Sequence, residues 1–109
     1  MLGIYAVVLI TAPSREEAEN IARKLLEEKL AACVNIIGEA KSLFWWEGRI
    51  EEAAEALLVI KTRLDQMEKL IEAVKQIHSY TVPEIIALPI VAGNKQYLEW
   101  INQTILKPK

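Results

Sequence analysis

The chain has one histidine, His78, and it stands two residues before Tyr80 and six before Glu84. Three groups able to bind protons or metals therefore fall within the seven residues His78-Ser79-Tyr80-Thr81-Val82-Pro83-Glu84. They lie where a helical pattern stops and a strand begins, a joint at which small domains often place functional side chains. Imidazole titrates near neutral pH and is the chain's best ligand for Cu(II). The plainer reading of His78 is an interaction with the negative end of a helix dipole. Pro83 needs no functional explanation, because a proline suits the start of a strand.

Cys33 is the only thiol, in the small apolar run Leu30-Ala31-Ala32-Cys33-Val34-Asn35. A buried, inert core cysteine is its default reading. It could serve Cu(I) only if the fold brought its sulfur to His78. No second cysteine stands two or three positions away, so no CxxC metal motif exists. Lys61-Thr62 closes an apolar run and could hold an anion, against the simpler reading of a solvated strand end. Glu51, Glu52 and Glu55 read as a solvated, partly paired acidic face. Paired catalytic carboxylates, a Ser/His/Asp set and a Gly-rich phosphate loop are missing from the pattern. Pro13 removes an N–H donor from the loop after the first strand, which argues against a phosphate cradle there.

Composition narrows the classes further. A chain of 109 residues makes one domain, residues 1–109, large enough for a core. The net charge of −2 argues against nucleic acid as a partner, since such binders are visibly basic. An RNA-recognition sheet would also need stacking aromatics, and Ile50 to Thr62 has none. The apolar run Ile4 to Ile10 is too short to span a bilayer and lacks a signal-peptide pattern. One cysteine cannot form an internal disulfide, which fits a reducing compartment. The expectation is a cytoplasmic protein with no membrane partner.

The elements that must position these residues follow from periodicity. Ile4 to Thr11 reads as a strand. Ser14 with Glu17 is a capping-box signature, and Ala18, Ile21, Ala22, Leu25, Leu26 and Leu30 continue it as a helix from Arg15 to about Leu30. Cys33 to Ile37 is a short apolar segment, and the pattern resumes after Gly38 as Ser42 to Trp46. Glu47-Gly48 marks a hairpin turn, and a third strand runs to Thr62. Asp65 with Glu68 predicts the cap of a second helix, whose stripe is Met67, Leu70, Ile71, Val74 and Ile77. Val82 to Val91 reads as a fourth strand, interrupted at Pro89. Gly93-Asn94 opens a terminal helix bearing Tyr97, Leu98, Ile101 and Ile105.

The order βαββαβ plus a terminal helix predicts an α+β ferredoxin-like plait, with a long hairpin between its second and third strands. Two helices cover one face of such a sheet, so the strands should alternate apolar and polar. Ala6 to Ile10, Leu57 to Ile60 and Ile85 to Leu88 do not alternate. Their second face must leave water too, and copies of the same chain are the simplest cover. Trp45 and Trp46, adjacent near a hairpin tip, project to opposite faces and mark an interface.

Several segments, in order, resemble the CutA family of divalent-cation tolerance proteins. They are Thr11-Ala12-Pro13, Leu30 to Asn35, Trp46-Glu47-Gly48-Arg49-Ile50, Lys61-Thr62, His78 to Ile90, and Tyr97-Leu98-Glu99-Trp100. The resemblance covers essentially the whole chain. It implies a homotrimer with a non-enzymatic role in tolerance of copper and other divalent metals. The metal candidates are His78, Glu84 and Cys33. It also implies an alternative, a sensor like the PII signalling proteins that binds a small anion in an intersubunit cleft near Lys61, Tyr80 and Glu84. Where the family usually reads His-Pro-Tyr, this chain has Ser79, and Thr81 replaces a residue that is usually acidic or polar. Members with a copper site carry a cysteine where this chain has Ile10, and some add a histidine where it has Ile77. Of that set His78 remains, so any copper should be weakly bound.

Overall fold

The computed structural model describes residues 4–106. Its elements run β1 (Tyr5–Ala12), α1 (Arg15–Glu27), β2 (Cys33–Trp46), β3 (Arg49–Arg63), a 3-10 turn (Leu64–Gln66), α2 (Met67–Ile77), β4 (Ile85–Pro89) and α3 (Lys95–Leu106). The strands form one antiparallel sheet in the order β2-β3-β1-β4, the ferredoxin-like plait expected from the element order. Along β1, Ala6, Val8, Ile10 and Ala12 are fully buried while Tyr5, Val7, Leu9 and Thr11 are only partly so. That period of two assigns one face to the helices. On it Val8, Ile10, Leu58 and Ile60 pack with Ile21 and Leu25 of α1 and Leu70 and Val74 of α2.

The other face is covered at one end only. There Ile101 and Ile105 of α3 pack with Ala32, Tyr5 and Leu98, and Arg63 donates to the Asn102 side chain. Elsewhere Ile86 and Leu88 remain about half exposed. The absence of alternation in the sequence therefore corresponds to a real apolar surface.

Four boundaries differ from expectation, each for a local reason. Helix α1 ends at Glu27 rather than near Leu30, because the chain turns through Lys29 at φ 60°. Leu30 is buried all the same, with its N–H on the Leu25 carbonyl and its own carbonyl accepting the Thr62 hydroxyl at 2.7 Å. β2 is one strand rather than two segments. Gly38 and Glu39 together face a single β3 residue, so the interruption is a bulge, with Glu39 at φ 61°. A side chain at Gly38 would overlap the Arg15 guanidinium, which lies against that backbone.

Asp65 does not cap α2, which starts at Met67 without a side-chain cap. Its carboxylate instead takes the Arg63 guanidinium in two bonds of 3.1 and 2.9 Å, which pull the Asp65 pKa down and push that of Arg63 up. β4 is Ile85–Pro89 rather than Val82 to Val91. Pro83 has no N–H for the ladder, and the partner strand β1 runs out at Tyr5.

Beyond the bulge, β2 and β3 continue together to Trp46 and Arg49. The turn residues Glu47 and Gly48 both have positive φ, 50° and 79°, the geometry of a two-residue hairpin that matches the strand twist. This arm stretches the chain to 44 Å in its longest dimension. It carries Leu43, Phe44, Trp45, Trp46 and Ile50, all exposed.

Candidate functional site

Helix α2 ends at His78, whose N–H still donates to the Val74 carbonyl while its own backbone is already extended. That conformation turns the imidazole inward rather than along the helix end, and its side chain is fully buried. Nε2 lies 2.8 Å from the Thr11 carbonyl oxygen on β1. The Tyr80 N–H donates to Nδ1 at 3.0 Å. Together these bonds define the neutral tautomer with the proton on Nε2. Both ring nitrogens are thus engaged with main chain, which replaces the dipole interaction as the reason for a histidine here.

Glu17 reaches this turn from α1. The Ser14 hydroxyl accepts the Glu17 N–H at 3.1 Å, as the capping signature predicts. The Glu17 carboxylate, however, does not return to the cap. It accepts both the N–H and the hydroxyl of Ser79, at 2.8 and 3.0 Å, and lies 3.4 Å from His78 Nδ1. One carboxylate therefore fastens the start of the α2–β4 connection to the start of α1.

Tyr80 continues the chain of contacts. Its ring is tilted 41° against the imidazole at a centroid distance of 4.9 Å. Its hydroxyl donates to Glu55 Oε2 at 2.7 Å. Burial, and then the Glu55 carboxylate, push the phenol pKa up to about 12. Glu55 lies on β3 in register with Leu57 and Val59 and is itself buried. The solvated-face reading of Glu51, Glu52 and Glu55 is therefore corrected for Glu55. Glu51 and Glu52 do form ion pairs, with Arg49 and Lys41.

Thr11, Lys41, Ser42, Glu55, Tyr80 and Glu84 line a cleft of about 550 Å³, with Phe44 and Val82 among its apolar walls. Lys41 is the lysine of that wall, and it pairs with Glu52 at 3.4 Å. The cleft so formed is richer in oxygen acceptors than in cations. A second hollow of about 560 Å³, between the ends of α1, α2 and α3, balances Lys29 and Lys69 against Glu28 and Glu72. It contains none of the residues singled out by chemistry.

The expected residues are distributed unequally. Tyr80 and Glu84 share the cleft, Glu84 being exposed. Lys61 does not line it. It pairs across from Val7, four residues along β1 from Thr11, about 13 Å away at strand spacing. There its ammonium donates to Asn35. Cys33 pairs with Lys61 at the same end of the sheet, remote from His78, and is partly exposed rather than core. It lies beside Tyr97, whose phenol pKa is raised by burial and then by Cys33. Among the described residues, no three His, Cys, Asp or Glu side chains group closely enough to hold a metal ion. Trp45 and Trp46 stand 72% and 61% exposed on the arm.

Glu17, Glu55 and Lys41 are the site residues that sequence reasoning missed. Glu55 had a signal in its register, a carboxylate on the same face as Leu57 and Val59. Glu17 was read only as a capping residue, and nothing local signals its contact 62 positions away.

A plait of this order with a long apolar hairpin and a helix across one end of its open face defines a distinct architectural class. The chain belongs to the family described as CutA1 divalent ion tolerance protein, whose model matches residues 6–104. It is 54% identical over 102 residues to the divalent-cation tolerance protein CutA of Archaeoglobus fulgidus, covering 94% of this chain and 99% of the relative. The corresponding protein of Thermus thermophilus is 53% identical over 97 residues, covering 89% and 94%. The solved structure of the Archaeoglobus fulgidus protein, described as periplasmic, superposes with a TM-score of 0.91 at 52% identity, covering 94% and 99% of the two chains. No helix among the described residues is long and apolar enough to cross a membrane.

Proposed function

We propose that the chain acts in tolerance of divalent cations, copper among them, as a non-enzymatic homotrimer that touches metal weakly. The observation that carries this reading is the β2–β3 arm, with five large apolar side chains 42–72% exposed in the single chain. A surface of that kind is completed by protein, and a second and third copy supply it without another partner. Weak metal contact follows from the spread of the candidate ligands. Cys33 and His78 lie at different ends of the sheet, the buried His78 has both ring nitrogens engaged by main chain, and Glu84 is exposed at the cleft, so the three do not converge on one cation. The PII-like anion reading draws less support, since Lys61 is remote from Tyr80 and Glu84 and carboxylates dominate the cleft.

The test is growth on raised copper, zinc and cobalt of a host lacking its own family member. Wild type should restore tolerance, and a Trp45→Ser, Trp46→Ser double variant should restore little. Full restoration by the double variant would detach the function from the arm. No restoration by wild type would reject the tolerance role.

A further inference from the structure

Glu55 is only 8% exposed, and within the chain it has a single hydrogen-bond donor, the Tyr80 hydroxyl on Oε2. Among the described residues no ion pair includes it. Arg15 borders a smaller hollow with Glu55, yet that guanidinium lies against the Gly38 backbone. An ionised carboxylate accommodates about four donors, and a buried charge is costly without a counter-charge. The register adds the rest of the surface. Ser42 pairs with Ala53 and Thr11 with Leu57, each two residues along β3 from Glu55, while Phe44 pairs with Glu51, four along. With a period of two, Glu55, Ser42, Thr11 and Phe44 share one face of the sheet. Tyr80 and the exposed Glu84 border the same cleft. Lys41 belongs to the other face of β2, and its ammonium pairs there with Glu52.

We propose that this cleft binds a small organic cation, a primary ammonium group on a short aliphatic stem. The ammonium supplies three N–H donors and no acceptor, which matches a wall of carboxylate and hydroxyl oxygens. One donor meets Glu55, in a charge-assisted bond that also provides the missing counter-charge. Glu84 adds a second negative charge at the solvent side, and the Thr11 and Ser42 hydroxyls are acceptors on the sheet. Phe44 and Tyr80 bring aromatic rings, whose faces attract cations, and Val82 adds an apolar wall for the stem. A divalent metal fits less well. It needs several converging ligands, and among the described residues no three acidic, histidine or cysteine side chains group to give them. An anion would meet two carboxylates. The volume of about 550 Å³ is that of a small-molecule site.

The test is nuclear magnetic resonance of the ¹⁵N-labelled full chain, titrated at neutral pH with butylammonium chloride. Butan-1-ol is the neutral match, and magnesium chloride the small dication. Butylammonium should shift the amides of Ser42, Phe44, Glu55 and Tyr80 to saturation, with half-saturation near about 1 mM for a ligand of so few atoms. Amides of Leu25 and Val74, beneath the helices, should stay fixed. Glu55→Gln keeps an acceptor for the Tyr80 hydroxyl but removes the charge, and should weaken binding about tenfold or more. Glu84→Gln, at an exposed position, should weaken it about two- to fivefold, and it decides if Glu55→Gln does not fold. The site is overturned by shifts that do not saturate, or by butan-1-ol binding as well as butylammonium. Magnesium saturating the same amides at lower concentration overturns it, as does binding indifferent to both substitutions. Butylammonium binding is independent of whether the chain confers metal tolerance, so either can fail alone.

Discussion

The two ends of the β2–β3 ladder are made from the same backbone and meet opposite fates. Near β1, Leu58 and Ile60 are sealed beneath α1 and α2. Beyond the Gly38–Glu39 bulge, Trp45 and Trp46 lie on the arm with no helix over them. The first end is held by contacts within the chain, and its cost of disruption should appear in a single folded chain. The second contributes little to that chain, and in the proposed trimer its worth comes from the copy that covers it. Apolar burial stabilises by roughly 25 cal/mol per Å² wherever it happens, so the ladder separates folding from assembly by position rather than by composition.

Replacement of single residues can break or sharpen that contrast. Trp46→Ala should have the largest effect, about 3–5 kcal/mol per chain on an assembly that packs the ring fully. Its signature is dissociation with the fold retained, seen as monomer by sedimentation and an unchanged far-ultraviolet dichroism spectrum. Leu58→Ala should cost about 2–5 kcal/mol from the sealed end. Denaturant unfolding of the dissociated chain would read that loss, which Trp46→Ala should scarcely produce. Equal losses from the two variants in the dissociated chain would erase the distinction.

Tyr80→Phe sits between the two regions. It strips the buried Glu55 carboxylate of its 2.7 Å hydroxyl and should cost about 1–3 kcal/mol. The same bond gives an alkaline signature. The phenol pKa rises on folding from 10.0 to about 12, so the native state holds its proton more tightly than the unfolded chain. This contribution is complete below pH 10 and is lost as pH climbs towards 12. Tyr80→Phe should flatten that part of the stability profile. The smallest effect belongs to Ser14→Ala, about 1 kcal/mol, because a single cap bond to the Glu17 N–H disappears. Thermal unfolding would check it.

Much of the plait was legible because its elements carry local signals. The Ser14–Glu17 spacing located the start of α1, Glu47-Gly48 located the hairpin, and unbroken apolar strands announced a second face in need of cover. The errors came where a backbone turn or a neighbouring side chain overruled the periodic pattern. Lys29 took a left-handed turn and shortened α1 while Leu30 stayed buried. Arg63 drew Asp65 away from the helix it could have capped. Arg15 packed on the Gly38 bulge, and a strand that read as broken stayed whole.

The site was legible in its centre and obscure at its edges. His78, Tyr80 and Glu84 are close in sequence, and the turn keeps Tyr80 and Glu84 on one cleft. Glu17 and Glu55 arrive from elements 62 and 25 residues away, and no local period predicts such meetings. Cys33 and Lys61, which looked chemically apt, were carried by the sheet register to the other end.

The central claim, that the exposed arm is an assembly surface, is tested most directly by sedimentation equilibrium of the wild-type chain at low micromolar concentration. The account predicts one species of three times the chain mass, stable to dilution. A well-behaved monomer with the arm still folded would contradict it.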